Sequence, residues 1–161
     1  MAAPSAPRKG SLQYWPRKRA SKVVASVNSW PECNDSKLLG FLGYKVGMTH
    51  VMATDTKAKI VRSVPVTIIE CPPIKIFSAR FYKHNNLITE ILSPKLDDDL
   101  KRRIKAPKKT ARSLDEIKDY DEIKVLAYTQ PKLTGIGQKA PDMFEIAIGG
   151  KDKIDWVKKN F

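Results

Sequence analysis

The residues of this chain that could hold a metal or perform acid–base chemistry are few. His50 and His84 have no Cys, His or acidic neighbours at metal-ligand spacing, so a packed or surface histidine is the expectation for each. Asp97, Asp98 and Asp99 are consecutive, and consecutive side chains on a helix point in different directions. Acidic residues at a helix N-terminus are explained by the helix dipole without magnesium. We therefore expect no metal, no cofactor and no enzyme.

Other catalytic and targeting signals are also missing from the sequence. Cys33 and Cys71 are single, which fits neither a CxxC metal knuckle nor a disulfide framework. GxxxxGK[ST] and GxSxG are absent, and the glycines at 40, 43 and 47 do not form GxGxxG. No apolar run reaches the roughly 18–20 residues needed to span a membrane, and no apolar region follows the first cations as in a secretory signal. The expected location is cytoplasmic, with no membrane partner.

What the chain does have is patterned positive charge. Lys and Arg number 30 against 17 Asp and Glu, for a net charge of +13, and six cations and no acid lie in the first 22 residues. A segment with this composition cannot offset the entropy of ordering its backbone alone, which is roughly 1–2 kcal/mol per residue. It can order against a polyanion, because each phosphate contact releases counterions and aromatic rings stack on bases. Residues 1–36 are interpreted as an RNA-binding extension; the alternative is a solvated basic tail.

A second basic run occupies residues 101–112, with seven cations and no anion. An RNA contact and a solvated charged loop are equally good interpretations of this run taken alone.

Hydrophobic patterning and turn residues predict a mainly β chain. A run with Gly40, Gly43 and Gly47 is interpreted as a β-hairpin, and Pro65 indicates an edge position or a bulge. Asn85-Asn86 predicts a tight turn. The predicted elements are a hairpin over 39–53, strands over 59–70, 74–82, 87–92, 123–129 and 143–148, and helices over 96–104, 113–118 (from a capping box) and 151–161.

Three motifs carry a resemblance to a known family. APRKGSLQYWPRKRA at 6–20, SWP at 29–31 and FLGYKVGMTHV at 41–51 resemble the universal large-subunit ribosomal protein L3 family in its archaeal and eukaryotic form. Further matches lie at 66–73, 127–130 and 145–156. The resemblance covers essentially the whole chain but only about the first half of the family pattern. The chain could be one piece of a split protein, a reduced version or a truncated one.

The resemblance implies a partial translation-protein-type β-barrel with an α+β insertion and an extended basic N-terminal tail. The implied boundaries are 1–36 for the tail, 37–73 for the first barrel strands, 74–148 for the insertion with its return strands, and 149–161 for a C-terminal helix. The insertion is shorter here than in many relatives and lacks their longer basic helical segment.

The resemblance further implies a structural constituent of the large ribosomal subunit that binds and stabilises its ribosomal RNA and supports assembly and translation. The implied partners are large-subunit ribosomal RNA and neighbouring ribosomal proteins, and a second chain carrying the missing half of the fold is a further partner if the protein is split. A transient RNA-binding assembly or regulatory factor is the alternative, and a DNA binder stays open on charge alone. The expected RNA-binding residues are Arg8, Lys9, Tyr14, Trp15, Arg17, Lys18, Arg19, Lys22, Trp30, Lys45, His50, Lys101, Arg102, Arg103, Lys105, Lys108, Lys109 and Arg112.

Overall fold

A computed structural model describes residues 7, 9–10, 18–27, 29–57, 59–105, 114, 117 and 119–161. The predicted helix over 113–118 lies largely outside these residues. The described elements are β1 (Tyr44–Asp55), β2 (Ile60–Glu70), β3 (Ile74–Lys83), β4 (Asn86–Leu92), a 3₁₀ helix (Asp98–Arg102), β5 (Glu122–Thr129), a 3₁₀ turn (Pro131–Leu133), β6 (Met143–Ala147) and α1 (Lys153–Asn160).

β1 and β2 form a separate two-stranded antiparallel sheet. The hairpin predicted within 39–53 is wrong, because that stretch enters one continuous strand, β1, which pairs with β2 instead. Gly47 lies at a register shift between Lys45 and Gly47 rather than at a turn. Glycine supports a bulge as readily as a turn, so the local signal was ambiguous. The strand predicted over 59–70 is confirmed, and Pro65 lies in a strand that pairs with β1 alone among the described strands.

The other four strands form an antiparallel sheet in the order β4-β3-β5-β6. All four are predicted by the sequence, β3 from its alternation and β4 as its partner across a turn. The β3–β4 turn is centred on His84 and Asn85, one residue earlier than predicted, and both have positive φ (49° and 62°). Two left-handed residues between paired strands are typical of the type I′ turn, whose twist matches that of the strands.

Side chains on one sheet face make the larger core. Phe81, Ile123, Val125, Ile146 and the α1 residue Val157 are fully buried there. The predicted closing helix is therefore confirmed, and it covers this face. The opposite face holds a smaller cluster of Phe77, Leu100 and Tyr128.

The helix predicted over 96–104 is a shorter 3₁₀ helix, Asp98–Arg102. Asp97 before it has an extended backbone (φ −75°, ψ 147°), so an α-helix cannot begin at Leu96. Acidic residues do precede basic ones along it, as the charge pattern predicted.

The fold class is mainly β, as predicted, and neither sheet of the described residues closes into a barrel. No helix in the described part of the chain is long and apolar enough to cross a membrane.

Candidate nucleic-acid interface

The described cations of the N-terminal extension all face outward. Lys9, Lys18, Arg19 and Lys22 are exposed. Arg8, Tyr14, Trp15 and Arg17, which the sequence also assigned to RNA, lie outside the described residues. Exposed side chains of one sign suit contacts with a phosphate backbone.

The end of this extension lies against the protein. Val24 and Trp30 are half-buried and pack on the larger core. A Cβ on Gly40 would come within 3.2 Å of the Trp30 ring, so the ring and the Gly40 backbone are in close contact. The Trp30 indole Nε1 is buried and has no hydrogen-bond partner among the described residues. The packing role of this ring is therefore visible, whereas its contact with RNA stays a prediction.

Residues 33–39 are fixed to the end of β6 by backbone contacts. Leu39 N donates to Ala147 O (3.1 Å), Gly149 N to Lys37 O (2.8 Å) and Gly150 N to Cys33 O (2.8 Å). A Cβ on Gly150 would lie 2.9 Å from Ser36 Cα, and its φ of +82° is one that glycine adopts without strain. The Gly149-Gly150 pair thus fixes where the basic extension leaves the body.

Three cations of the second basic run have carboxylate partners. Lys101 Nζ lies 2.5 Å from Asp98, Arg102 Nε 4.0 Å from Asp99, and Arg103 Nη2 3.8 Å from Asp142. Lys105 is exposed, and Lys108, Lys109 and Arg112 lie outside the described residues. The pairs of Lys101 and Arg102 are exposed and contribute only about 0–1 kcal/mol each, so phosphates can replace their carboxylates at little cost.

Asp97 holds the 3₁₀ helix on the sheet. Its carboxylate accepts hydrogen bonds from Lys75 Nζ (2.7 Å), the Tyr128 hydroxyl (2.9 Å) and Gln130 Nε2 (3.1 Å). The Lys75 hydrogen bond is the main reason that the pKa of Asp97 is below its ordinary value. Burial, with Asp97 beside it, raises the pKa of the Tyr128 hydroxyl, which remains a donor. The base of the second basic run is therefore held by a fully engaged carboxylate.

The two basic segments meet at one groove. A cavity of about 390 Å³ is lined by residues 21–27 and Trp30, by Arg103, and by residues of the sheet. Lys22 from the first segment and Arg103 from the second line it together. Sequence reasoning assigned both to RNA but could not place them at one site.

The sheet contributes a compensated charge to this groove. Arg80, which the sequence did not single out, lies 3.3 Å from both Glu90 and Glu145. Burial lowers the pKa of Arg80, but the two carboxylates outweigh burial and raise it overall. Tyr82 donates to Glu145 (2.5 Å), and burial with this bond raises the pKa of Tyr82 to about 12. The charges and hydrogen bonds of Arg80, Tyr82 and the two glutamates are therefore satisfied within this group.

Beside the second run, a loop adds cations that the sequence did not single out. Lys132 and Lys139 line a hollow together with Arg102, and Lys132 Nζ lies 3.8 Å from Asp99. Lys132 lies in the 3₁₀ turn after β5 and Lys139 in the loop that follows, and neither belongs to a run of charges in the sequence.

A buried hydrogen-bond network joins the two sheets. The Tyr44 hydroxyl donates to Asp142 Oδ2 (2.7 Å) and lies 2.8 Å from Thr129 Oγ1. Gln138 Nε2 also donates to Asp142 Oδ2 (2.8 Å), and Asp142 N donates to Thr129 Oγ1 (3.1 Å). This Tyr44–Asp142–Thr129 network connects β1 with the ends of β5 and β6, next to Arg103.

The hairpin β1–β2 is largely uncovered. Lys45 and His50, which the sequence assigned to RNA, are exposed on β1. Apolar side chains are exposed beside them, among them Val46 (64%), Met52 (67%) and Ile69 (57%). Exposed apolar side chains in number mark a contact surface.

Metal chemistry has no visible site in the described ranges. No group of three or more His, Cys, Asp or Glu there could hold an ion.

The whole chain is similar to known ribosomal proteins. A family model described as Ribosomal protein L3 matches residues 1–161. Large ribosomal subunit protein uL3 of Methanosphaera stadtmanae is 41% identical over 170 residues, which cover 94% of this chain and 50% of that protein. The uL3 protein of Archaeoglobus fulgidus is 42% identical over 170 residues, with the same two shares. The chain thus spans about half the length of the curated relatives it matches.

Proposed function

The chain belongs to the ribosomal protein L3 family, and we propose that it is a structural constituent of the large ribosomal subunit that binds and stabilises large-subunit ribosomal RNA. The observation that carries the proposal is the meeting of two basic segments, remote in sequence, at one groove. The proposed role is structural rather than enzymatic, and the proposed location is the ribosome in the cytoplasm, beside neighbouring large-subunit proteins.

Recognition would depend on the phosphate backbone and the shape of the RNA. The described cations of the extension are exposed, and the rest of its basic side chains are close to them in sequence. Such contacts position a protein on folded RNA without reading a base sequence. About six to ten phosphate contacts would weaken binding roughly 10³–10⁵-fold between 50 and 200 mM salt.

A charge variant tests this proposal better than a deletion, because Val24 and Trp30 also pack on the core. Arg8, Lys9, Arg17, Lys18, Arg19 and Lys22 would each be changed to Gln. Binding to in vitro transcribed large-subunit ribosomal RNA would be measured across a salt series. With one phosphate per cation, the log–log salt slope should fall by about 4 to 5.

The matched control changes six lysines elsewhere to Gln: Lys57, Lys59, Lys95, Lys151, Lys153 and Lys159. We expect the control to retain most of the slope and affinity. An unchanged slope in the N-terminal variant would show that the extension does not bind the RNA.

The exposed hairpin supports a further proposed partner. Within the part of the chain that the structure describes, β1 and β2 each pair with one strand and have an open edge, and apolar side chains of both are exposed. Burying such a side chain completely contributes about 1.5–3 kcal/mol. We propose that strands from the other half of the family's length complete this sheet as a barrel, carried by a second chain or by a continuation of this one.

A further inference from the structure

The groove between the two basic segments is lined by elements held in place separately. Residues 21–27 lie on one side, positioned by the packing of Val24 and Trp30 on the core. Arg103 lies at the end of the 3₁₀ helix, which Asp97 ties to Lys75, Tyr128 and Gln130. Their relative position is therefore set by the fold before any ligand binds, and such preorganisation lowers the entropy lost on binding.

The charged side chains that the sheet contributes to the groove are partly or wholly buried. Among the sheet residues, the Arg80 side chain is 27% exposed and faces Glu90 and Glu145. Asp142 is 7% exposed and is held by Tyr44 and Gln138. The carboxylates on the sheet would repel a phosphate that entered fully, and desolvating that phosphate would be costly.

The most exposed charges at the groove are positive. Lys22 is exposed and the Arg103 side chain is 50% exposed, while Lys18, Arg19 and Lys105 are exposed on the two segments that flank the groove. Arg103 Nη2 lies 3.8 Å from Asp142, beyond hydrogen-bond distance, and the Asp142 carboxylate keeps its bonds from Tyr44 and Gln138 when Arg103 turns to a phosphate. A polyanion therefore fits across the mouth of the groove rather than inside it.

We propose that residues 18–22 and 103–105 bind one and the same RNA segment, whose phosphate backbone lies across the mouth of this groove. The inference rests on the proposed function, and it goes further in making the two basic segments a single site. An acidic protein segment is the other polyanion that could occupy the mouth.

Directed hydroxyl-radical probing tests the inference. An iron chelate would be attached to the full chain at Ser21→Cys on the groove, at Lys101→Cys near Arg103, or at Lys57→Cys on the hairpin turn as a control, with Cys33→Ala and Cys71→Ser removing the native thiols. Each protein would be bound to in vitro transcribed large-subunit ribosomal RNA. We expect positions 21 and 101 to cleave overlapping nucleotides and position 57 to cleave others.

Separate cleavage sets from positions 21 and 101 would overturn the single site while leaving RNA binding intact. Absence of binding by all three proteins would instead overturn the proposed function. In assembled large subunits, cleavage of a neighbouring protein from both groove positions, in place of RNA, would assign the groove to an acidic protein segment.

A charge-conserving substitution supplies a second measurement. Arg103→Ala should lower the salt slope by about 0.7–0.9, the value of one phosphate contact, whereas Arg103→Lys should retain it. Equal salt slopes for the two variants would show that Arg103 does not contact a phosphate at this site. Thermal unfolding of both variants in parallel separates this loss from a folding defect.

Discussion

Removing one hydroxyl from Tyr44 should loosen the connection between the two sheets. Tyr44 is the first residue of β1, and its hydroxyl donates to Asp142 beside β6 while lying 2.8 Å from Thr129 at the end of β5. Phenylalanine keeps the ring and removes only the hydrogen bonds that this hydroxyl makes with Asp142 and Thr129. Tyr44→Phe therefore isolates the contribution of the network to stability.

The expected loss follows from the burial of its partners. Asp142 is 7% exposed and Thr129 is fully buried, so water cannot replace the lost donor. A hydrogen bond to a charged group contributes about 1.5–3 kcal/mol. Asp142 keeps its bond from Gln138, which places the loss near the middle of this range, at about 2 kcal/mol. For a chain of this length, that lowers the unfolding midpoint by about 4–8 °C.

Urea unfolding of dilute protein, followed by the fluorescence of Trp30 and Trp156 on the core, measures this loss. Tyr120→Phe is the matched control, because the Tyr120 ring packs edge-on against Phe81 and no hydrogen bond of its hydroxyl is seen among the described residues. We expect the control to change stability by less than about 0.5 kcal/mol. A double-mutant cycle with Thr129→Val should be non-additive. If Tyr44→Phe and Tyr120→Phe are equally stable, the network does not join the sheets.

The remaining predictions concern acid stability and the open hairpin. The Lys75 hydrogen bond is the main reason that the pKa of Asp97 is lower in the folded chain than in the unfolded chain, where it is about 3.9. The ionised carboxylate therefore stabilises the fold above about pH 3.9. That stabilisation is lost as the pH falls through the pKa of the folded chain. Melting curves should therefore show a smaller acid-side loss in Asp97→Asn than in the unchanged chain, and parallel losses would refute the assignment. Expressed alone and concentrated, the chain should self-associate in light scattering, whereas the missing strands or RNA should suppress this. A sample that stays monodisperse at those concentrations would contradict the open edge.

Alternating hydrophobic residues and turn-forming residues predict most strands of the four-stranded sheet. The strands β3 and β5 carry fully buried side chains such as Phe81 and Ile123, and their alternation is visible in the sequence. The prediction failed at Gly47, because a glycine at a register shift and one at a turn leave the same local signal. It also made the 3₁₀ helix too long, since Asp97 is held extended by partners 22 to 33 residues away.

The candidate site was predictable only in part for a similar reason. The charge of the extension is local in sequence, so composition identified it. The pairing of Arg103 with Asp142 and the shared groove of Lys22 and Arg103 join residues that are remote along the chain. Such contacts exist only once the sheet has formed. Sequence patterns over a few neighbouring residues therefore cannot predict them.

The contacts of Gly149-Gly150 with residues 33–39 bear on the order of events during synthesis. The extension is made first, yet its attachment point on the body, at the end of β6, is made more than a hundred residues later. Until the end of β6 emerges from the translating ribosome, the contacts that fix the basic extension to the body do not exist, and the extension is accessible to RNA. Pairing of the β6 end with residues 33–39 then fixes the direction in which the extension leaves the body, so this direction is set only late in synthesis.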